Sequence, residues 1–204
     1  MKTRSELFLW IHLGGIVMFP LLLGITLIGL TTGERYGYLR ELFLLVTIAI
    51  IPILFMQLYR PFNIFSVLFF SLKPEALSEN QRKILMLFKT KQQKLLSAIT
   101  AMLMLFSIGI LYSYALAIAN RDILFLPQNR PLGLAIAIIA FLGSNLFLQI
   151  PLSALRVLAI KESEFAQTIP CTSEEVARDF TTPGFWVKGI PGLTKTIPEQ
   201  NQVN

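Results

Sequence analysis

Four long apolar runs, none holding a charged residue, narrow most sharply what this chain can become: Leu7–Leu30, Leu42–Tyr59, Leu95–Ala119 and Pro131–Leu155. About 20 helical residues cross the ~30 Å hydrocarbon core of a bilayer, and the shortest run still falls within the workable range of about 17–25. Backbone groups in hydrocarbon find no water, so the runs are read as helices, which pair N–H and C=O internally. Pro20, Pro52 and Pro151 lie inside runs, where each removes a backbone donor and should bend its helix. Lys2 and Arg4 give the first run a basic start, but it exceeds the roughly 7–15-residue core of a signal peptide. It also lacks a small-x-small cleavage site before Glu34 and is read as a retained span.

The rest of the composition agrees. Charged residues make up 15% of the chain, against about 25% in soluble domains, and mean hydropathy is +0.63. The net charge of +6 suits anionic lipid headgroups better than nucleic acid, for which no binding motif is present. One cysteine, Cys171, cannot close an internal disulfide, and one histidine, His12, cannot build a zinc site. Without HExxH, CxxC, GxSxG or a Walker-type glycine loop, an enzyme is not expected.

Basic residues orient the spans. Of 18 Lys and Arg, four (Arg35, Arg40, Arg121 and Arg130) fall on one side of a four-span arrangement and the remaining 14 on the other. The positive-inside rule then predicts that both termini are cytoplasmic.

Between the second and third runs, Pro61–Leu72 (PFNIFSVLFFSL) is strongly apolar. As a helix its 12 residues would reach only about 18 Å, so an interfacial or re-entrant helix is expected. Ser78-Glu-Asn-Gln81 is a capping-box pattern, and no Pro or Gly interrupts the chain from there to Ser107. An amphipathic helix over 78–94 is therefore expected to run into the third span, with Arg82, Lys83, Lys89, Lys91 and Lys94 offered to headgroups or a partner. In the tail, Ser173–Phe180 reads as a short helix capped by Ser173. The segment Thr181–Leu193, rich in Pro and Gly, reads as a loop whose Phe185 and Trp186 contact a membrane surface or a partner. The expected fold is an all-α integral membrane protein: a four-helix transmembrane domain over 1–160, an interfacial helix over 61–72, an amphipathic extension of the third span, and a cytoplasmic tail over 161–204.

Few residues suggest chemistry. His12, near the start of the first span, could ligate a chlorophyll magnesium or a haem iron; without a second histidine, a hydrogen bond to a neighbouring helix or water is the simpler reading, and no cofactor is expected. Asn145 and Gln149, four apart, share a helix face and call for partners such as Gln57. A polar translocation path is the alternative, weakened by the absence of any acidic residue from the four runs. Gly133, Ala137, Ala140 and Ser144 form a small-residue ridge on the fourth span, suited to close approach by another helix of this chain or of a partner subunit.

Several stretches together resemble a cyanobacterial membrane-protein family, the low-complexity tail membrane proteins: SELFLWIHLGGIVMFPLLLGI, MQLYRPFNIFSVLFFSLKPEALSENQRKIL, LFKT, GSNLFLQIPLSALRVL and DFTTPG. RPFNIFS…LKPE and SNLFLQIP are its more specific parts. Here only a short polar end follows Gly192, where an extended repetitive tail belongs to the pattern. The resemblance implies a cyanobacterial thylakoid or plasma membrane and a role as an accessory, assembly or stability protein of photosynthetic complexes. It supplies no catalytic residue. The alternatives are a pigment-binding protein with His12 as axial ligand and a small transporter or channel.

Overall fold

A computed structural model describes residues 5–34, 36–67, 69–119, 129–190 and 193. Lys2, Arg4, Arg35, Arg121 and Lys195 of the charge pattern, Pro191 and Gly192 of the tail loop, and the polar end 194–204 lie outside them. Among the described residues, four helices are long and apolar enough to cross a membrane: α1 (Leu7–Thr31), α2 (Tyr38–Tyr59), α4 (Lys91–Ala119) and α5 (Arg130–Leu158). Between and after them come β1 (Ser66–Val67), β2 (Phe70–Leu72), α3 (Glu79–Phe88), α6 (Glu162–Gln167), α7 (Ser173–Asp179) and β3 (Phe185–Val187).

The prolines leave local marks on two spans. A proline ring crowds the carbonyl four residues before it and donates no bond to it. Accordingly a 3₁₀ turn at Gly15–Val17 precedes Pro20, and a π turn at Val46–Ile50 precedes Pro52. Pro151 is accommodated within α5.

The first and fourth spans share the most extensive interface. Its closest point is Gly29 against Gly133: a Cβ on Gly29 would lie 2.6 Å from the Gly133 carbonyl oxygen, and one on Gly133 would lie 2.6 Å from the Thr32 Cβ. No side chain fits between the two backbones. The small-residue ridge therefore receives the chain's own first span, with Ala137 and Ala140 buried and Ser144 Oγ donating to the Phe19 carbonyl at 3.2 Å.

One end of the bundle, the loop end, carries the α1–α2 turn, the end of α4 and the start of α5. The other end is covered by a small roof of β1, β2, α3, α6, α7 and β3, with its own apolar core of Ile64, Phe65, Leu72, Ile84, Phe165, Val176 and Phe180 set against Phe8, Leu9 and Ala154 of the spans.

The roof corrects four sequence expectations. Residues 61–72 are not an interfacial helix: they hold an antiparallel hairpin pairing Ser66 with Ser71 and Val67 with Phe70. The tail segment is not a loop throughout, because β3 adds in parallel to β2, with Phe70 opposite Phe185 and Leu72 opposite Val187. A 12-residue apolar stretch fits strand or helix equally well by pattern; here a tail strand more than 100 residues away supplies the backbone partners that an interfacial helix would have found internally. Third, α3 and α4 are separate. Thr90 divides them, its Oγ1 donating to the Leu87 carbonyl and accepting from the Gln93 N–H, which lets one side chain close the first helix and open the second. Fourth, Thr172, not Ser173, caps α7, in a capping box with Glu175; Ser173 Oγ turns to the Pro74 carbonyl at 3.4 Å. The capping box of Ser78 and Gln81 on α3 forms as its spacing predicts.

Candidate functional site

The stretches that carry the family resemblance meet in space. The tail strand runs beside RPFNIFS…LKPE as a continuous seam: Thr181 N–H donates to the Pro61 carbonyl at 3.0 Å, Asn63 N–H to the Thr181 carbonyl at 2.9 Å, Phe185 N–H to the Phe69 carbonyl at 2.7 Å and Lys73 N–H to the Val187 carbonyl at 2.9 Å. Ser71 Oγ bridges the Ser66 hydroxyl and the Pro183 carbonyl, and Arg60 reaches the Phe180 carbonyl at 3.2 Å. Gly184 makes the seam feasible. Its φ is +71°, which L side chains rarely adopt, and a Cβ there would fall on the Phe69 carbonyl.

In the strand order β1-β2-β3 the tail strand β3 is an edge strand, and exposed aromatics cluster on it and on the neighbouring β2 segment. Phe69 is 70% exposed, Phe70 51% and Phe185 74%, with Trp186 38% exposed beside them. By contrast Ile190 and Leu193, from the same tail segment, pack against the roof core. Of Phe185, Trp186, Ile190 and Leu193, the last two are thus packed on the chain's own core and the first two are left at the surface.

The five basic candidates also divide. Arg82 donates to Ser173 Oγ at 3.4 Å, Lys83 pairs with Glu79 at 3.4 Å, and Lys89 pairs with Asp179 at 2.8 Å while lying over the Phe180 ring. The hydrogen bond from Arg178, and that from Lys89, hold the Asp179 carboxyl well below the usual carboxylate range. Three of the predicted contact residues therefore bind the chain's own roof. Lys91 and Lys94 are exposed. Cys171 is buried beside the Arg82 carbonyl, and its burial raises the thiol pKa.

His12 sits where α1 meets the hairpin. Its Nδ1 lies 2.8 Å from the Phe8 carbonyl, the Ser66 backbone adjoins the ring, and the Phe62 ring stands 5.6 Å away between centroids. The imidazole is an internal brace between span and roof. Among the described residues no group of three His, Cys, Asp or Glu is placed to hold a metal ion.

The amides form a ladder through the bundle. Asn145 Nδ2 donates to the Ala49 carbonyl at 2.8 Å, in the π turn that Pro52 loosens. Gln149 Nε2 donates to Asn145 Oδ1 at 3.0 Å, Ser153 Oγ to the Gln149 carbonyl at 2.7 Å, and Gln93 Nε2 to Ser153 Oγ. Gln57 is buried on α2. Each rung joins neighbouring turns or helices, the usual duty of uncharged polar groups between spans.

One feature escaped the sequence reading. The second and fourth helices begin earlier than their uncharged runs, so Glu41 and Arg130 are part of them, and both are buried. Arg130 pairs with Glu41 through Nε at 2.7 Å and through Nη2, and its Nη1 donates to the Leu30 and Thr32 carbonyls at 2.9 Å. Tyr112 OH completes the cluster at 2.7 Å from Glu41. All four spans meet there: the guanidinium satisfies the carbonyls ending α1, and the carboxylate sits in the first turn of α2, the end that favours a negative charge. The signal in the sequence was two opposite charges flanking runs at the same end.

No curated protein and no solved structure matches this chain. The sequence model of one family does match, over residues 5–191, which include the seam, the amide ladder and both members of the buried ion pair. The chain is a membrane protein and belongs to the low-complexity tail membrane protein-like family.

Proposed function

We propose that this protein is a non-enzymatic accessory or assembly factor that holds a partner membrane complex through the aromatic edge of its roof. The observation carrying this reading is the contrast within one sheet: Ser66, Ser71 and Leu72 are buried, while Phe185 of the edge strand β3, Phe70 beside it on β2 and the preceding Phe69 are exposed. Burying one such ring stabilises by about 1.5–3 kcal/mol, and an open strand edge with apolar side chains is an invitation to another surface. Three features that could have served catalysis, ligation or transport (His12, the amides and the intramembrane charges) are each engaged in holding the chain's own elements together. The basic asymmetry supports a cytoplasmic position for the roof, and the family resemblance supports a photosynthetic membrane of a cyanobacterium.

Native purification in mild detergent, with co-purifying subunits and pigments identified, tests the proposal. Phe70→Ser with Phe185→Ser should abolish recovery of the partner at matched membrane abundance, leaving insertion intact. Recovery equal to wild type rejects the docking role, and a stoichiometric pigment in a partner-free preparation favours the ligand reading of His12.

A further inference from the structure

A groove of about 410 Å³ lies between α4 and α5 at the roofed end. Leu95, Leu96, Ile99, Leu152 and Leu155 line it, and Gln92 and Arg156 stand at its mouth. We propose that this groove is a binding site for one anionic membrane lipid, with its headgroup on Arg156 and Lys91 and an acyl chain along Leu95, Ile99 and Leu155.

Charge selects the headgroup. The hydrogen bonds of Arg156 go to neutral acceptors: Nη1 to the Leu87 carbonyl at 3.3 Å and to Gln93 Oε1 at 3.4 Å, Nη2 to Gln92 Oε1 at 2.5 Å. Its positive charge is held in place by these partners without being neutralised, and Glu164 acts on it only through space. Those bonds also fix the guanidinium at the groove mouth, a preorganised fork for a phosphate or sulfonate. Lys91, exposed, lies one helical turn before Leu95 and so projects on the same face. Elsewhere on the roof Lys83 and Lys89 already have carboxylate partners.

Shape and position select the tail. The groove's volume falls in the range of small-molecule sites, about 300–1,000 Å³. Leu95 is 62% exposed, Ile99 50% and Leu155 46%, all within helices that cross the hydrocarbon. A basic pocket between spans near their cytoplasmic ends is the setting in which anionic headgroups are bound. A free phosphate would meet only the mouth, and a neutral lipid only the leucines; an anionic lipid meets both.

The test is native mass spectrometry of the detergent-purified chain with phosphatidylglycerol or phosphatidylcholine added. One phosphatidylglycerol per chain should be retained, in preference to phosphatidylcholine, and Lys91→Gln should weaken retention roughly fivefold, the effect of one basic side chain near a headgroup. Ile99→Trp, which fills the groove, should weaken it comparably. Lys188→Gln, an equal charge change outside the groove, should leave retention unchanged. Equal retention of the two lipids, wild-type retention by Ile99→Trp, or an equal loss in Lys188→Gln would overturn the site. Millimolar inorganic phosphate displacing the lipid fully would show that the mouth alone binds and overturn the acyl-chain assignment. These readouts need no partner protein, so they stand or fall apart from the docking proposal.

Discussion

At the loop end the four spans converge on one buried ion pair, whereas at the roofed end many modest contacts tie the spans to a small folded cover. The loop end depends on Glu41, Arg130 and Tyr112, with carbonyls of α1 as further acceptors. The roofed end depends on an apolar core drawn from six elements and the segments that connect them, and on a backbone seam between 61–73 and 181–187. A buried charge pair is worth little over an apolar replacement, yet losing one member strands the other in a medium that cannot solvate it. A distributed core has no such single point of failure. The difference predicts brittle behaviour at one end and graded behaviour at the other.

The largest effect should therefore follow Glu41→Ala, which leaves the Arg130 guanidinium buried without its carboxylate and costs about 3–5 kcal/mol. Unfolding by SDS titration in mixed micelles measures it. Glu41→Leu combined with Arg130→Leu should recover most of that loss, because no uncompensated charge remains; a double variant as weak as the single would contradict the brittle-pair account.

Next in size is Gly184→Ala. The added Cβ meets the Phe69 carbonyl at a positive φ, so β3 must shift or detach, at a cost of about 1–3 kcal/mol. Limited proteolysis should then cut the tail near residue 184 while the spans stay intact. Cleavage within the spans, or no change in tail protection, would break the proposed separation between roof and bundle.

The smallest effect belongs to Lys89 and Asp179, which tie α3 to α7. The Asp179 carboxyl titrates lower when folded than when unfolded, so its contribution is fully present above the unfolded value of about 3.9 and is lost as pH falls below it. For a partly exposed pair the worth is about 0.2–1 kcal/mol. Tail proteolysis rates should rise below that pH in the wild type, and Asp179→Asn should remove most of this dependence.

How much of this was legible in the sequence varies with the range of the interactions involved. The spans were readable because a 20-residue uncharged run has one solution in lipid. Their ends were not: Glu41 and Arg130 look like loop charges until each supplies the other's counter-ion across the bundle. The ridge from Gly133 to Ser144 announced a close approach but not the identity of the approaching helix, which proved to be the chain's own α1. Pro61–Leu72 was misread because its strand state depends on Thr181–Val187, over 100 residues away. The break at Thr90 was hidden because a threonine side chain, with no Pro or Gly, does the work of two caps. Among the candidate contacts, Phe185 and Trp186 are exposed, while Arg82, Lys83 and Lys89 have partners that pattern alone cannot supply.

The central claim is that the tail is a structural part of the roof, built into one sheet with the segment that follows the second span. Hydrogen exchange of the intact protein in detergent tests it most directly. The account predicts slow exchange at the amides of Asn63, Leu72, Lys73, Thr181 and Phe185, each of which donates to a backbone carbonyl in the seam or hairpin. It also predicts that Gly184→Ala accelerates exchange at Phe185 and Lys73 while leaving α4 and α5 unchanged. Exchange at Thr181 and Phe185 as fast as in an unstructured peptide would contradict it.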